Sequence, residues 1–318
     1  MNVYKTLVYY IGMKKLAKIV LLSAMTLIVS GCSNTTKKEP IPVDVVVISG
    51  QSNGVGCTHA SYIPRSIGYS KYEEYMSGYP EIQIAFDSWT KDEGPRFYSQ
   101  NKSKNNDFVK VMLGQGNNEA NFGPEIGIAE YTHEKYANKL FLIKYACGAS
   151  NLKDDWAKRD SPMYGRFVEY VKYQMENLKS KGYLPTIKAL CWMQGEGDSY
   201  DTYYQDYYNN TKGFVTNLRE DFFELSGNRD FAFIDAGISN SRLWQYYRKV
   251  NEAKKQFAAE SDNNIYIDTI DAGLHTSEEP YDNPDTAHYD SESEVLLGQL
   301  FAQNFEPFLT PLNSENSD

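Results

Sequence analysis

The sequence of 318 residues carries 32 basic and 42 acidic side chains, a net charge of −10 at neutral pH. The first 31 residues hold only Lys5, Lys14, Lys15 and Lys18 as charged groups, so the rest carries 28 basic against 42 acidic residues, a net −14. Such a surface repels phosphate backbones and argues against nucleic acid as a partner. The remaining length of about 285 residues suits one large α/β domain.

The chain opens on a processing signal. Met13-Lys14-Lys15 starts a short basic region, and Ile19 to Val29 is apolar but short for a bilayer span. Val29-Ser30-Gly31-Cys32 resembles the bacterial lipoprotein signal box, which implies lipidation of Cys32 and a cell-envelope address, membrane-anchored and expected at the outer membrane. Residues 1–31 are thus expected to be removed, and 32–42 to act as a polar tether. Cys57, Cys147 and Cys191 remain, an odd number that cannot all pair within one chain. No Cys-x-x-Cys and no His-Glu-x-x-His occurs, so no metal or cofactor is signalled.

Five apolar runs read as buried parallel strands: Val43 to Ser49, Leu140 to Ala146, Ile187 to Trp192, Phe231 to Ala236, and Ile265 to Asp268. The first ends in Gly50-Gln51-Ser52-Asn53-Gly54, where glycine permits a sharp turn and leaves a serine at the strand's end. Helical patterns lie between and after the strands. Gly123-Pro124-Glu125 opens one, with proline and an acid where helix starts prefer them. Phe167, Val171 and Leu178 share a face of a second. Phe214, Leu218 and Phe222 share one of a third, and Leu243, Tyr247, Val250 and Phe257 one of a fourth. A last helix is expected from about Ser291 to Phe305. This alternation predicts a three-layer α/β/α sandwich with a five-stranded parallel sheet, a single domain over 43–310 and a polar tail at 311–318.

Residues 57–121 break the rhythm and read as an aromatic-rich insertion, with Tyr62, Tyr69, Tyr72, Tyr75, Tyr79, Trp89, Phe97 and Tyr98. Two roles stay open for these rings: stacking on sugar faces, or a lid packed by its own aromatics. Gly114-Gln115-Gly116-Asn117 echoes the serine turn without the serine and is read as coincidence.

Three more strand ends carry chemistry: Cys147-Gly148-Ala149-Ser150, then Gln194-Gly195-Glu196-Gly197-Asp198, then Asp285-Thr286-Ala287-His288 before the last helix. In an open parallel sheet these turns gather at one carboxyl edge. Gly-Gln-Ser-Asn at 50–53, Phe-Gly-Pro-Glu at 122–125, Trp-x-Gln-Gly-Glu-x-Asp at 192–198 and Asp-x-x-His at 285–288 resemble the signatures of the SGNH (GDSL-like) hydrolases. Within that superfamily they are similar to the sialate O-acetylesterase-like, acetylxylan-esterase-type branch of carbohydrate esterase family six.

The resemblance implies a flavodoxin-like fold and hydrolysis of acetyl esters on a carbohydrate. Ser52 would be the nucleophile, His288 the base and Asp285 the residue that orients it. It further implies an oxyanion hole from the backbone N–H groups of Ser52 and Gly148 and the side-chain amide of Gln194. Glu196 is the rival third member of the triad, and Gln51, Asn53 and His59 are candidate substrate contacts. His133, expected mid-helix, and His275 are weaker candidate bases. The sequence departs from the family pattern at Gly54 (usually methionine), at Ala149 (usually the second of two glycines) and at Gly197 (usually a small polar residue). The chemistry needs these residue types: a hydroxyl is a weak nucleophile until a base takes its proton, and the tetrahedral oxyanion needs preset donors. A glycan-binding lipoprotein of the same fold that has lost useful turnover, and a lipase or peptidase of that fold, are the rival readings.

Overall fold

The computed structural model describes residues 38–90, 94–96 and 106–311, with backbone alone at 89–90 and 94–96. The expected signal segment 1–31, the lipidation site Cys32, most of the tether, Phe97, Tyr98 and residues 312–318 lie outside the described residues.

Strand β1, Ile41–Gly50, is the central element; Val45 to Ile48 are fully buried, as a strand covered on both faces requires. In chain order follow α1 (Ser52–Val55), β2 (Thr58–His59), α2 (Tyr69–Ser77), β3 (Tyr79–Thr90), β4 (Gly94–Arg96), β5 (Val109–Val111) and β6 (Asn121–Phe122). Next come α3 (Glu125–Thr132), β7 (Leu140–Gly148), α4 (Pro162–Ser180), β8 (Tyr183–Met193) and α5 (Tyr207–Ser226). The chain closes with β9 (Ala232–Ala236), α6 (Tyr247–Ala258), β10 (Asn264–Ile267) and α7 (Ser291–Phe305).

The main sheet runs β10-β9-β8-β1-β7-β3-β4, with β5 also on β3. It is a mixed α/β arrangement with a mostly parallel sheet. The five expected strands are β1, β7, β8, β9 and β10, but the count of five is corrected. β3 is a sixth parallel strand, paired from Gln83↔Phe141 to Thr90↔Gly148. Antiparallel β5 and β4 cover successive lengths of its outer edge, which otherwise leaves backbone groups unpaired. β3 was not read as a strand because its apolar residues Ile82, Ile84 and Phe86 alternate with polar ones among aromatics and charges.

The helices form two groups. α3 packs on α7, and the contact is close: a Cβ on Gly127 would lie 1.9 Å from the Val295 carbonyl oxygen, and one on Gly298 would lie 2.1 Å from that of Pro124. Across α4 and α5, Phe167, Val171, Leu178, Phe214, Leu218 and Phe222 are all buried, as their spacing predicts. The fourth helix starts only at Tyr247; Leu243 lies before it and is exposed, so the expected helical face from 243 is corrected to one from 247.

Two features of this topology place the site. The connections leaving β1 run toward β3, while those leaving β8 run toward β9, so their carboxyl ends flank a switch point where ligands lodge. Register then aligns three strand ends: Gly50 pairs with Ala146 of β7 and with Met193 of β8. The turns beginning at 51, 147 and 194 therefore leave the sheet side by side.

Candidate active site

The serine turn is built on Gly50, whose φ of +137° is open to glycine alone. A Cβ there would meet the Met193 carbonyl oxygen at 1.9 Å. Gln51 N–H then donates to that same carbonyl at 2.8 Å, and α1 begins at Ser52. Lys144, fully buried in β7, donates to the carbonyls of Val55 (3.0 Å) and Gln115 (2.6 Å) and to Glu125 Oε2 (2.7 Å). Glu125 in turn accepts from Gly123 N–H. The Phe-Gly-Pro-Glu segment thus serves to anchor the serine helix through a buried ion pair. Lys254 does the same on the other side, donating to the Gln194 and Ala236 carbonyls and to Asp235.

The histidine turn is tied to the serine segment by two hydrogen bonds on one residue. Tyr289 N–H donates to Asn53 Oδ1 at 3.1 Å, and the Tyr289 carbonyl accepts from Thr58 Oγ1 at 2.7 Å. Asn53 also donates to Glu196 Oε1 at 2.8 Å. Asn53 is therefore buried and is not among the residues lining the main cavity.

Ser52 and His288 line one cavity of about 520 Å³, together with Gln51, Gly148 and Cys57. No hydrogen bond joins Ser52 to His288. His288 Nδ1 lies 2.7 Å from Asp285 Oδ2, and Asp285 is braced by accepting from Ala287 N–H. Burial lowers the pKa of the His288 imidazole, but its bonds to Asp285 and to the Cys57 thiol, with their charge, outweigh burial and carry it up to about 10. The same hydrogen bond holds Asp285 below its ordinary value. Glu196, the rival acid, is fully buried on Asn53, and burial raises its pKa.

Several expected residues sit elsewhere. Gln194 is wholly buried and off the cavity wall. Its amide donates to Asp198 Oδ2 at 2.7 Å and to Gln51 Oε1, and its oxygen accepts from Tyr207. The Gln194 N–H groups thus meet acceptors within the loop. Desolvation raises the Asp198 pKa to about 6, against the bonds it accepts.

His59 bonds Ser61 and faces a smaller cavity of about 150 Å³ on the far side of His288. His133 caps the end of α3 against the Tyr79 ring, not mid-helix as expected. His275 pairs with Asp290 at 2.6 Å, away from Ser52. None of Cys57, Cys147 and Cys191 forms a disulfide among the described residues.

Four cavity residues went unread in the sequence. Cys57 carried no motif. Asn117 belongs to the glycine-rich echo segment, whose Gly116 backs onto the Gly56 carbonyl with no room for a side chain. Tyr200 and Trp244 meet edge to face, ring centres 5.8 Å apart, on the cavity wall. They hold the position expected of the insertion's aromatics. Of those, Tyr75 and Tyr79 are buried in the core and Tyr62 reaches only the smaller cavity.

Residues 42–306 match the family model described as carbohydrate esterase, sialic acid-specific acetylesterase. The chain belongs to this carbohydrate esterase family. A probable carbohydrate esterase from Arabidopsis thaliana is 30% identical over 165 residues, a match spanning about half of each chain. Solved structures share the fold of the esterase domain. An Arabidopsis thaliana protein superposes with TM-score 0.59 at 22% identity, over 85% of this chain and all of that one. NanS gives 0.60 at 14% identity, over 85% and 98%. A carbohydrate acetylesterase from Xanthomonas citri gives 0.55 at 14%, over 84% and 56%.

Proposed function

We propose that this carbohydrate esterase removes O-acetyl groups from a glycan through an acyl-enzyme on Ser52. The observation that carries the reading is the shared cavity wall of Ser52 and His288, with Asp285 held on the far ring nitrogen of His288. Neutral His288 takes the Ser52 proton as Oγ attacks the acetyl carbonyl, then protonates the departing sugar oxygen. Asp285 fixes the tautomer that leaves the other nitrogen free to accept. The link between Ser52 and His288 is one that tightens in the substrate complex. The backbone N–H groups of Ser52 and Gly148 receive the oxyanion. Water then attacks the acetyl-enzyme by the same route, with His288 again as base, and releases acetate.

Tyr200 and Trp244 support a sugar as the carrier of the acetyl group, because aromatic faces stack on the apolar faces of pyranose rings. The same pair also favours the rival, a glycan-binding protein with little turnover. A lipid anchor at Cys32 in the cell envelope belongs to this proposal and rests on the sequence motif alone. Acetate release from 4-nitrophenyl acetate and acetylated polysaccharides, compared with Ser52→Ala, tests it. Loss of turnover in the variant by three orders of magnitude or more is expected. Equal rates end the esterase reading, and glycan binding without turnover in the wild type favours the rival.

A further inference from the structure

His288 and Cys57 belong to the walls of two cavities: the one that Ser52 lines, and the smaller one of about 150 Å³ beyond them. The partition between the two is open to solvent. The His288 side chain keeps 25% of its surface exposed and that of Asp285 keeps 49%. A chain of sugars can therefore run over it from one cavity into the other.

The smaller cavity carries recognition groups of its own. Tyr62 lines it, half-buried, and stands edge to face against Tyr281, ring centres 6.4 Å apart and planes at 82°. The Arg65 guanidinium lies 3.2 Å over the Tyr281 ring, so the supporting ring is itself held. The pair matches Tyr200 and Trp244 in the larger cavity, whose ring centres are 5.8 Å apart with planes at 78°. His59 is exposed on the same wall. Ser61 N–H donates to His59 Nδ1 at 3.2 Å, which makes that nitrogen the bare one and leaves the ring proton on Nε2. His59 thus offers a donor suited to a sugar hydroxyl. Glu279, Asp285 and Asp290 lie on this wall too, and three acidic side chains around so small a space disfavour an anionic sugar.

We propose that the smaller cavity is a second sugar subsite, and that the substrate is a neutral oligosaccharide or polysaccharide lying across His288. This rests on the reading of Ser52 as nucleophile. The acetylated residue sits against Tyr200 and Trp244 with its ester at Ser52. The next residue of the chain stacks on Tyr62 and accepts from His59 Nε2. A free monosaccharide fills the first cavity alone and forgoes these contacts. One stacked ring and one hydrogen bond together are worth about tenfold or more in kcat/KM.

Chain-length kinetics test the assignment. Acetate release is measured on acetylated xylose, xylobiose and xylotriose and on the matching mannose and glucose series, with 4-nitrophenyl acetate as the control for active enzyme. In at least one series kcat/KM is expected to rise about tenfold or more from one sugar to two, chiefly through KM. Tyr62→Ala should bring the disaccharide-to-monosaccharide ratio close to one, and His59→Ala should lower it about threefold. A ratio taken within one preparation does not depend on how much of it is folded, so a destabilised variant cannot mimic the loss. The subsite is overturned if wild type active on 4-nitrophenyl acetate gains less than about threefold in every series, or if either variant keeps the full gain. A gain found only with an acidic second residue, as in O-acetylated oligosialic acid, overturns it as well. A Ser52→Ala enzyme as active as wild type removes the nucleophile reading, whereas a flat chain-length profile in an enzyme that needs Ser52 removes the subsite alone.

Discussion

Replacing Asp285 by asparagine tests the orientation of His288, and its effect depends on pH in a way the structure fixes. With the imidazole at about 10, only roughly one molecule in a thousand holds the neutral base at pH 7, so kcat/KM should climb about tenfold per pH unit toward a plateau near pH 10. Asp285→Asn removes the bond and the charge that push the imidazole up, so the rising limb must move to lower pH. It moves only part of the way, because Cys57 still acts on the ring. The plateau should fall as well, since the tautomer is no longer held. A buried triad aspartate replaced by asparagine costs about 10⁴. The Asp285 side chain is 49% exposed and its charge is screened, so about 10²–10⁴ is expected here.

The two effects oppose each other at neutral pH, where a single-point assay would show a much smaller loss. The assay is therefore a full pH profile of acetate release from pH 5 to 10.5 for wild type, Asp285→Asn and Glu196→Gln. The glutamine variant keeps an acceptor for Asn53 and should change both limb and plateau little. A larger plateau loss in Glu196→Gln, or a limb that does not shift in Asp285→Asn, refutes the assignment of Asp285.

Other outcomes follow from neighbouring groups. Cys57→Ala removes one of the groups that raise His288, so it should move the limb to lower pH without lowering the plateau, and an unmoved limb contradicts that account. Glu125→Gln leaves Lys144 buried without its counter-charge and should cost about 3–5 kcal/mol in urea unfolding. A loss below about 1 kcal/mol would mean the carbonyls of Val55 and Gln115 already satisfy the lysine. Ala149 sits at φ +58°, a region that costs a non-glycine residue roughly 1–2 kcal/mol. Ala149→Gly should therefore raise Tm slightly, after the entropic cost of glycine is set against that strain, and a drop of several degrees would contradict it. Tyr200→Ala and Trp244→Ala should raise KM for glycan acetates far more than for 4-nitrophenyl acetate; equal effects on both would remove the sugar-stacking role.

The gathering of the site was readable because it depends on strands, and strands announce themselves. Apolar runs mark β1, β7 and β8, and parallel register did the rest: Gly50, Ala146 and Met193 come level without any help from the loops. The pairing of His288 with Asp285 was legible from their spacing at a turn. The direction of amides was not legible. Gln51 and Gln194 are the same residue type near the same edge, and only coordinates show that the Gln194 amide donates to the Gln51 oxygen and to Asp198. Likewise Tyr200 and Trp244 sit in irregular turns with no periodicity to mark them, whereas the richer aromatic run at 57–121 gives Tyr75 and Tyr79 to the core and leaves Tyr69 exposed. Lys144 was a missed clue: a lone lysine inside Leu140 to Ala146 had to be either an error of strand assignment or a buried cation with a partner.

The two hydrogen bonds on Tyr289 weld the segment bearing the base to the segment bearing the hydroxyl. The cavity-lining rings of Tyr200 and Trp244 hang from other stretches of chain, joined to each other through Tyr246 N–H on the Ser199 carbonyl. Under the proposed function, bond-breaking and ligand choice thus reside in separate mechanical parts. An engineer wanting a new glycan preference can rebuild 199–204 and 240–246 while leaving the reacting pair undisturbed.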